Sequence, residues 1–159
     1  MAILPDDFKQ ALSRWASGVT IITTRAGDRI HGMTVSDFSG ASLSPPLATV
    51  CAAKDSITTK LIAEGQCFGV NVLKADQQDL SNRFASKKLE MERFKGIETI
   101  ELETGAPLLP DVLMSLDCRL VATHEAGDHL IYVGEIVASV VGEGQPLLFY
   151  RGAYGALAE

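Results

Sequence analysis

Leu116-Asp-Cys-Arg-Leu-Val-Ala-Thr123, the turn Glu125-Ala-Gly-Asp128 and His129-Leu-Ile-Tyr-Val-Gly-Glu-Ile-Val-Ala-Ser-Val-Val141 decide the fold class. In the first run Leu116, Cys118, Leu120 and Ala122 fall on one side of a two-residue repeat, with Asp117 and Arg119 on the other. That is the pattern of a strand with one apolar face. Gly127-Asp128 offers a tight turn, and the run from His129 to Val141 returns, so the whole reads as a β-hairpin.

Outward from this hairpin the same grammar repeats. A last strand, Leu147 to Tyr150, precedes Arg151-Gly152. Upstream, Cys67 to Leu73 is an apolar strand, and Leu47 to Ala53 is another, entered through Pro45-Pro46. Val19-Thr-Ile-Ile-Thr-Thr24, a turn at Ala26-Gly-Asp28 and Ile30 to Ser36 make a second hairpin. Three segments read as helices. Asp6 to Ser17 puts Phe8, Leu12 and Trp15 on one face, starts at Pro5-Asp6 and ends at Gly18. Ser56 to Glu64 is a short second helix, and Asp76 to Phe84 a third, with Leu80 and Phe84 four apart. Lys87 to Pro110 is polar and broken by Gly96, Gly105, Pro107 and Pro110, which predicts an irregular excursion. Many strands joined by hairpins, with few helices, predict a mainly β fold closed as an antiparallel barrel. No repeat or linker interrupts the chain, so residues 1–159 are expected to form a single domain.

Composition excludes several classes. A net charge of -6 over 159 residues argues against a nucleic-acid binder, which needs a basic stripe to neutralise phosphates. Cys51, Cys67 and Cys118 are widely spaced, with no CxxC pair, so neither a zinc knuckle nor a dithiol motif is supported. His124 and His129 add no recognisable ligand spacing, and no metal is expected. The start, MAILPDDFKQ, lacks the basic and apolar regions of a signal peptide, and no apolar run approaches the ~20 residues that span a bilayer. A cytoplasmic protein without membrane contact is the expectation. Gly142-Glu-Gly144 is the only GxG, with Leu147 where a third glycine belongs, so a dinucleotide is not expected to bind in the Rossmann manner.

Several segments in order carry a family resemblance: Trp15-Ala-Ser-Gly-Val-Thr-Ile-Ile-Thr-Thr24, His31-Gly-Met-Thr-Val-Ser-Asp-Phe38, Leu43-Ser-Pro-Pro-Leu47 and Ser56-Ile-Thr58. They continue with Phe68-Gly-Val-Asn-Val-Leu73, Gln78 to Ala85, Glu92-Arg-Phe-Lys-Gly96, Ala126-Gly-Asp-His129, Ile131 to Glu135 and Pro146-Leu-Leu-Phe-Tyr-Arg-Gly-Ala-Tyr154. Together they cover nearly the whole chain and resemble the flavin reductase-like family with the FMN-binding split-barrel fold. The resemblance implies an NAD(P)H-dependent flavin reductase of the short-chain kind. Such an enzyme passes a hydride from NADH or NADPH to FMN or FAD and supplies reduced flavin to a separate monooxygenase. It also implies a homodimer, with the flavin in a groove completed by the partner chain.

Carried over residue by residue, the resemblance implies that Met33, Thr34, Val35 and Ser36 line the isoalloxazine, with backbone and hydroxyl groups bonding its polar edge. A half-buried strand after a hairpin is the plain alternative. Ser56 and Thr58 match a Ser-x-Thr at a helix start, where free N–H groups and the helix dipole favour a phosphate, with Lys54 adding charge. Ser56 reads equally well as a helix cap. Arg83, Phe84 and Ala85 match a second flavin-contacting stretch, and Tyr150, Arg151 and Tyr154 a C-terminal segment that closes over the site. His129 matches the imidazole that contacts the nicotinamide side, and it is the residue assigned to turnover. Asp37 departs from the family, which commonly has a small or apolar residue there. A carboxylate near the ring would disfavour anionic reduced flavin, unless it points to solvent. Two other readings stay open: a flavin-binding module without NAD(P)H activity, acting as sensor or carrier, and a pyridoxamine-phosphate oxidase-like or haem-handling relative on a similar barrel.

Overall fold

The computed structural model describes residues 1–158. Its main sheet holds seven antiparallel strands: β2 Thr20–Ala26, β3 Arg29–Val35, β4 Phe38–Leu43, β5 Pro46–Ala53, β6 Cys67–Val72, β7 Met114–Ala126 and β8 His129–Val141. They lie in the order β3-β2-β6-β7-β8-β5-β4. The two ends of that order, β3 and β4, are consecutive in the chain, joined only by Ser36-Asp37. A seven-strand sheet whose edges are tethered by two residues has to curl on itself. No ladder joins β3 to β4, so the barrel is closed in shape but split along that seam.

The predicted hairpins are the frame of this barrel. β2 and β3 pair from Thr20↔Val35 to Ala26↔Arg29 around Gly27, which sits at φ +58°. β7 and β8 pair from Met114↔Val141 to Ala126↔His129, with register shifts at Asp117/Cys118 and Leu120/Ala122 that bend the long ribbon. Two apolar clusters follow. Ile22, Val50, Phe68, Val70, Leu116, Cys118 and Tyr132 fill one, and Val19, Ile21, Leu73, Phe84, Leu109, Val112 and Leu147 fill the other. Ile21 and Ile22 enter different clusters, so β2 is buried on both faces, which is why its sequence is a continuous β-branched run.

Helix α2 (Ile57–Gly65) packs on β2 and β3, with Leu61 and Ile62 buried, and Tyr132 from the opposite wall reaches its Thr59 carbonyl at 3.3 Å. Helix α3 (Gln78–Ala85) lies against β3 and β2 and sends Phe84 into the second cluster. A small sheet, β1 (Ser17–Gly18), β9 (Leu148–Tyr150) and β10 (Ala153–Gly155), flanks them.

Three expectations are corrected, and the excursion, irregular as expected, gains detail. Helix α1 is Pro5–Leu12 and stops short of Trp15, and its Phe8 and Leu12 are exposed rather than packed on the core. Strand β4 was not anticipated; its small, polar residues form a strand only because β5 pairs with them. The excursion after α3 carries one 3-10 turn, Glu90–Glu92, and ends in the core with Ala106, Leu108 and Leu109 fully buried. Asp117, which alternation sets opposite the apolar side, is fully buried, because Thr104 of that excursion covers it with a backbone N–H at 2.8 Å and with its hydroxyl.

Candidate functional site

The seam is where the fold leaves polar backbone unused. β3 is the terminal strand of the sheet, so one edge of it faces no strand. The Gly32 carbonyl points off that edge, since it accepts from Arg93 Nη1 at 2.7 Å. By the alternation of strand backbone, the N–H and C=O of Thr34 face the same open side. Across from them lies the start of α2. Ser56 caps it, its Oγ accepting from the Thr59 N–H at 3.0 Å, which leaves the N–H groups of Ile57 and Thr58 at the positive end of the helix.

Between these two features is a cleft of about 550 Å³, lined by Met33, Thr34, Ala53, Ser56, Ile57, Phe84, Ala85, Lys87, Glu90 and Arg93 among others. A smaller hollow of about 210 Å³ continues past Thr34 and Ala85 to Ser36, Ser81, Phe149 and Tyr154. The volume suits a ligand of cofactor size. The lining combines free backbone groups on an edge strand, a helix N-terminus and two cations, Lys87 and Arg93, and so fits a planar heterocycle that carries a phosphate.

The structure therefore gathers Met33, Thr34, Ser36, Ser56, Phe84, Ala85 and Tyr154 around one connected space. Phe84 is at the same time wholly buried, its ring edge-on to Phe94 at 5.1 Å, so it serves as wall and core together. Tyr154 is held by Ser81 Oγ at 2.8 Å, donates to Asn82 Oδ1 at 3.0 Å and meets Phe149 edge-on. Val35 faces the other way, into the barrel.

Other expected residues lie elsewhere. Thr58 is fully buried, its Oγ1 2.8 Å from His31 Nδ1, so its side chain braces the helix from behind and only its N–H is offered forward. Lys54 Nζ turns to Glu125 at 3.3 Å rather than to the helix start. Arg83 spends its guanidinium on the carbonyls of Glu92 and Lys95, tying down the excursion. Arg151 lies in an adjoining depression of about 390 Å³ with Phe8, Trp15 and Asp37, and its guanidinium stacks over the exposed Tyr150 ring at 5.3 Å. Asp37 is exposed in that depression, which adjoins the smaller hollow at Ser36 and Phe149. His129 opens β8 opposite Ala53, a cleft residue, and its Nδ1 meets Asp128 Oδ1 at 2.7 Å. That bond and the charge of His129 hold the Asp128 carboxyl below its ordinary range. The ring is half-exposed and lines none of these hollows.

Lys87, Glu90 and Arg93 line the cleft and were not singled out by sequence reasoning. They come from a polar excursion whose path across the cleft no local pattern reveals. Burial, helped by Asp117, pushes the Cys118 thiol up to about 12, and burial with Asp37 and Asp128 raises Cys51. No helix among the described residues is long and apolar enough to cross a membrane.

A split antiparallel barrel with a cleft of cofactor size at its seam is the class of protein that the fold and site define. Comparison with known proteins makes this specific. Residues 12–158 match the flavin reductase like domain. The NADH-dependent flavin reductase of a Rhodococcus species is 37% identical over 98% of this chain and 88% of its own length. The reductase subunit HsaB of a flavin-dependent monooxygenase from Rhodococcus jostii is 38% identical over 96% of this chain and 78% of its own. The solved NADH:FAD oxidoreductase SgcE6 of Streptomyces globisporus, in complex with NAD and FAD fragments, superposes with a TM-score of 0.89 at 29% identity, covering 99% of this chain and 97% of that one. The chain belongs to the flavin reductase-like family.

Proposed function

We propose that this protein is an NAD(P)H-dependent flavin reductase that supplies reduced flavin to a separate monooxygenase. The observation that carries the reading is the cleft at the β3 seam, where free strand backbone and the start of α2 face each other in a space of cofactor size. Relatives named as NADH-dependent flavin reductases and as monooxygenase reductase subunits support the reaction and the partner. When bound, the flavin supplies the chemistry by accepting a hydride from the nicotinamide.

The chain's part is to bind and orient. Thr34 offers its backbone to the polar edge of the ring. Met33, Phe84 and Ala85 give apolar walls, and the N–H groups of Ile57 and Thr58 hold the phosphate. His129, fixed through Nδ1 by Asp128, presents Nε2 as a polar contact for the nicotinamide. Orientation of two rings is the main rate effect required, and no nucleophile is involved.

The working unit is a symmetric pair. Helices α2 and α3 both pack on the β2–β3 side, which leaves the outer face of β5 and β8, with Thr49, Cys51, Ile131 and Val133, turned away from them. Leu43, Val121, Phe8 and Trp15 are further exposed apolar side chains of the chain. Large apolar exposure of this kind marks an interface, and a two-fold pair is its commonest form. Steady-state oxidation of NADH and NADPH with FMN, FAD or riboflavin as acceptor tests the reading. Saturable, flavin-dependent turnover is expected. Flavin binding without oxidation of either nucleotide would favour the sensor or carrier.

A further inference from the structure

Asp37 sits where the seam turns from β3 to β4. Its carbonyl accepts from the Cys51 N–H at 3.0 Å, one step before the Phe38↔Val50 pair. Phe38 and Val50 pack into the barrel, so alternation turns the Asp37 and Cys51 side chains to the outer face. Across β5, Cys51 pairs with Ile131 and Ala53 with His129, while Val50, Ala52 and Tyr132 fill the interior. Asp37 and His129 therefore share the outer face, on either side of Cys51. The thiol registers both flanks, since burial raises it and Asp37 and Asp128 add to the rise.

Two further features meet at Asp37. It is exposed, and among the described residues it enters no ion pair, whereas Asp128 has His129 and Lys54 has Glu125. It also lines the depression of about 390 Å³ walled by Phe8, Leu12, Trp15 and Phe149, which meets the smaller hollow at Ser36 and Phe149. The two cations of that depression are engaged elsewhere: Arg151 stacks on Tyr150, and Lys9 stands 4.0 Å from Asp6. Among the residues that line it, the one unpaired charge is thus a carboxylate. An aromatic-walled space of this kind suits a flat ring that becomes a cation.

Resting on the reductase reading above, we propose that Asp37 lies against the nicotinamide ring during hydride transfer and stabilises the positive charge the ring acquires. In that step the C4–H bond of the dihydronicotinamide breaks. The hydrogen leaves with both bonding electrons and forms an N–H bond at N5 of the flavin. The nicotinamide, neutral before, is left a pyridinium one unit more positive, and the flavin is one unit more negative. A carboxylate at the nicotinamide binds the product cation more tightly than the neutral ring, and the transition state shares part of that gain. His129, on the other flank of Cys51, is the polar contact for the same ring.

The test is calorimetric titration of the FMN-loaded protein with NAD+ and with its tetrahydro analogue, whose nicotinamide ring is neutral and gives up no hydride. In Asp37→Asn the affinity for NAD+ falls about threefold at low salt, the size expected of an exposed charge pair, while that for the analogue holds. The loss shrinks as ionic strength rises. Asp37→Glu keeps the charge and keeps the preference. Asp37 is exposed, so Asp37→Asn is expected to fold as wild type does. Its kcat/KM for NADH falls in the same direction as its affinity for NAD+. An equal change for the two nucleotides, or none, overturns the proposal. So does tighter binding of reduced FMN in Asp37→Asn with the nucleotide ratio level, which would turn the carboxylate to the flavin. A wild type that shows the preference yet oxidises neither NADH nor NADPH contradicts the reductase reading alone, and one that binds neither nucleotide overturns both.

Discussion

His31 Nδ1 lies 2.8 Å from Thr58 Oγ1, and this buried contact bolts the first turn of α2 to strand β3 beneath the cleft. Burial, with Arg93 adding, lowers the His31 pKa from its ordinary 6.5, and Glu90 only partly offsets this. The folded state therefore keeps the imidazole neutral where the unfolded chain has begun to protonate. Stability from this group is fully present above pH 6.5 and declines as pH falls from there through the lowered folded value. Denaturation in urea at a series of pH values from neutral to mildly acidic checks it. The wild type loses stability on acidification, and His31→Gln, which cannot protonate, loses less over the same interval. Parallel curves would rule out His31 as the source.

Ile57 is the first residue of α2 and its N–H has no partner within the helix. Ser56 is extended, at φ -79° and ψ 151°, a conformation that tolerates a following proline. Ile57→Pro thus removes one donor while suiting the helix start. Stability should change by less than about 1 kcal/mol, since proline is accepted at that position. FMN affinity should fall about threefold to tenfold while riboflavin affinity holds, the loss of one charge-assisted hydrogen bond. Titration of both flavins against a melting curve separates these effects. A matched loss for the two would mean that the phosphate lies elsewhere.

Val133 pairs with Thr49 on the β5–β8 face turned away from both helices. Val133→Arg places a charge on that face and is expected to convert the pair to monomers, with little loss of fold. Sedimentation velocity reads the change directly. A wild type that sediments as a monomer contradicts the paired groove, and a variant that stays dimeric moves the interface to another face.

The β7–β8 hairpin and the β2–β3 hairpin were legible because a two-residue repeat and a Gly-Asp turn are local signals. Strand β4 was not, since Phe38-Ser-Gly-Ala-Ser-Leu43 has no apolar face and takes its shape from a partner strand. Phe8, Leu12 and Trp15 read as one helical face because the i, i+4, i+7 spacing runs past Leu12, where the helix itself stops. In the site, the strand after the first hairpin and the Ser56 helix cap followed from local sequence. Thr58 and Arg93 did not. Whether a threonine beside a helix cap faces forward or back, and where a polar excursion crosses a cleft, depends on tertiary packing that local spacing does not encode. Asp117 makes the same point: alternation sets it opposite the apolar side, and a loop from elsewhere buries it.

His129 carries the account's link between the cleft and turnover, so the most direct measurement is NADH oxidation by purified protein with FMN, in wild type and in His129→Ala. The ring is half-exposed and bonded only to exposed Asp128, so its removal should leave the fold intact. The account predicts saturable, flavin-dependent oxidation in wild type. In His129→Ala, kcat/KM should fall by about tenfold to a hundredfold, the range expected for a lost orienting contact, with FMN affinity nearly unchanged. Wild-type protein that binds FMN but oxidises neither NADH nor NADPH would contradict it.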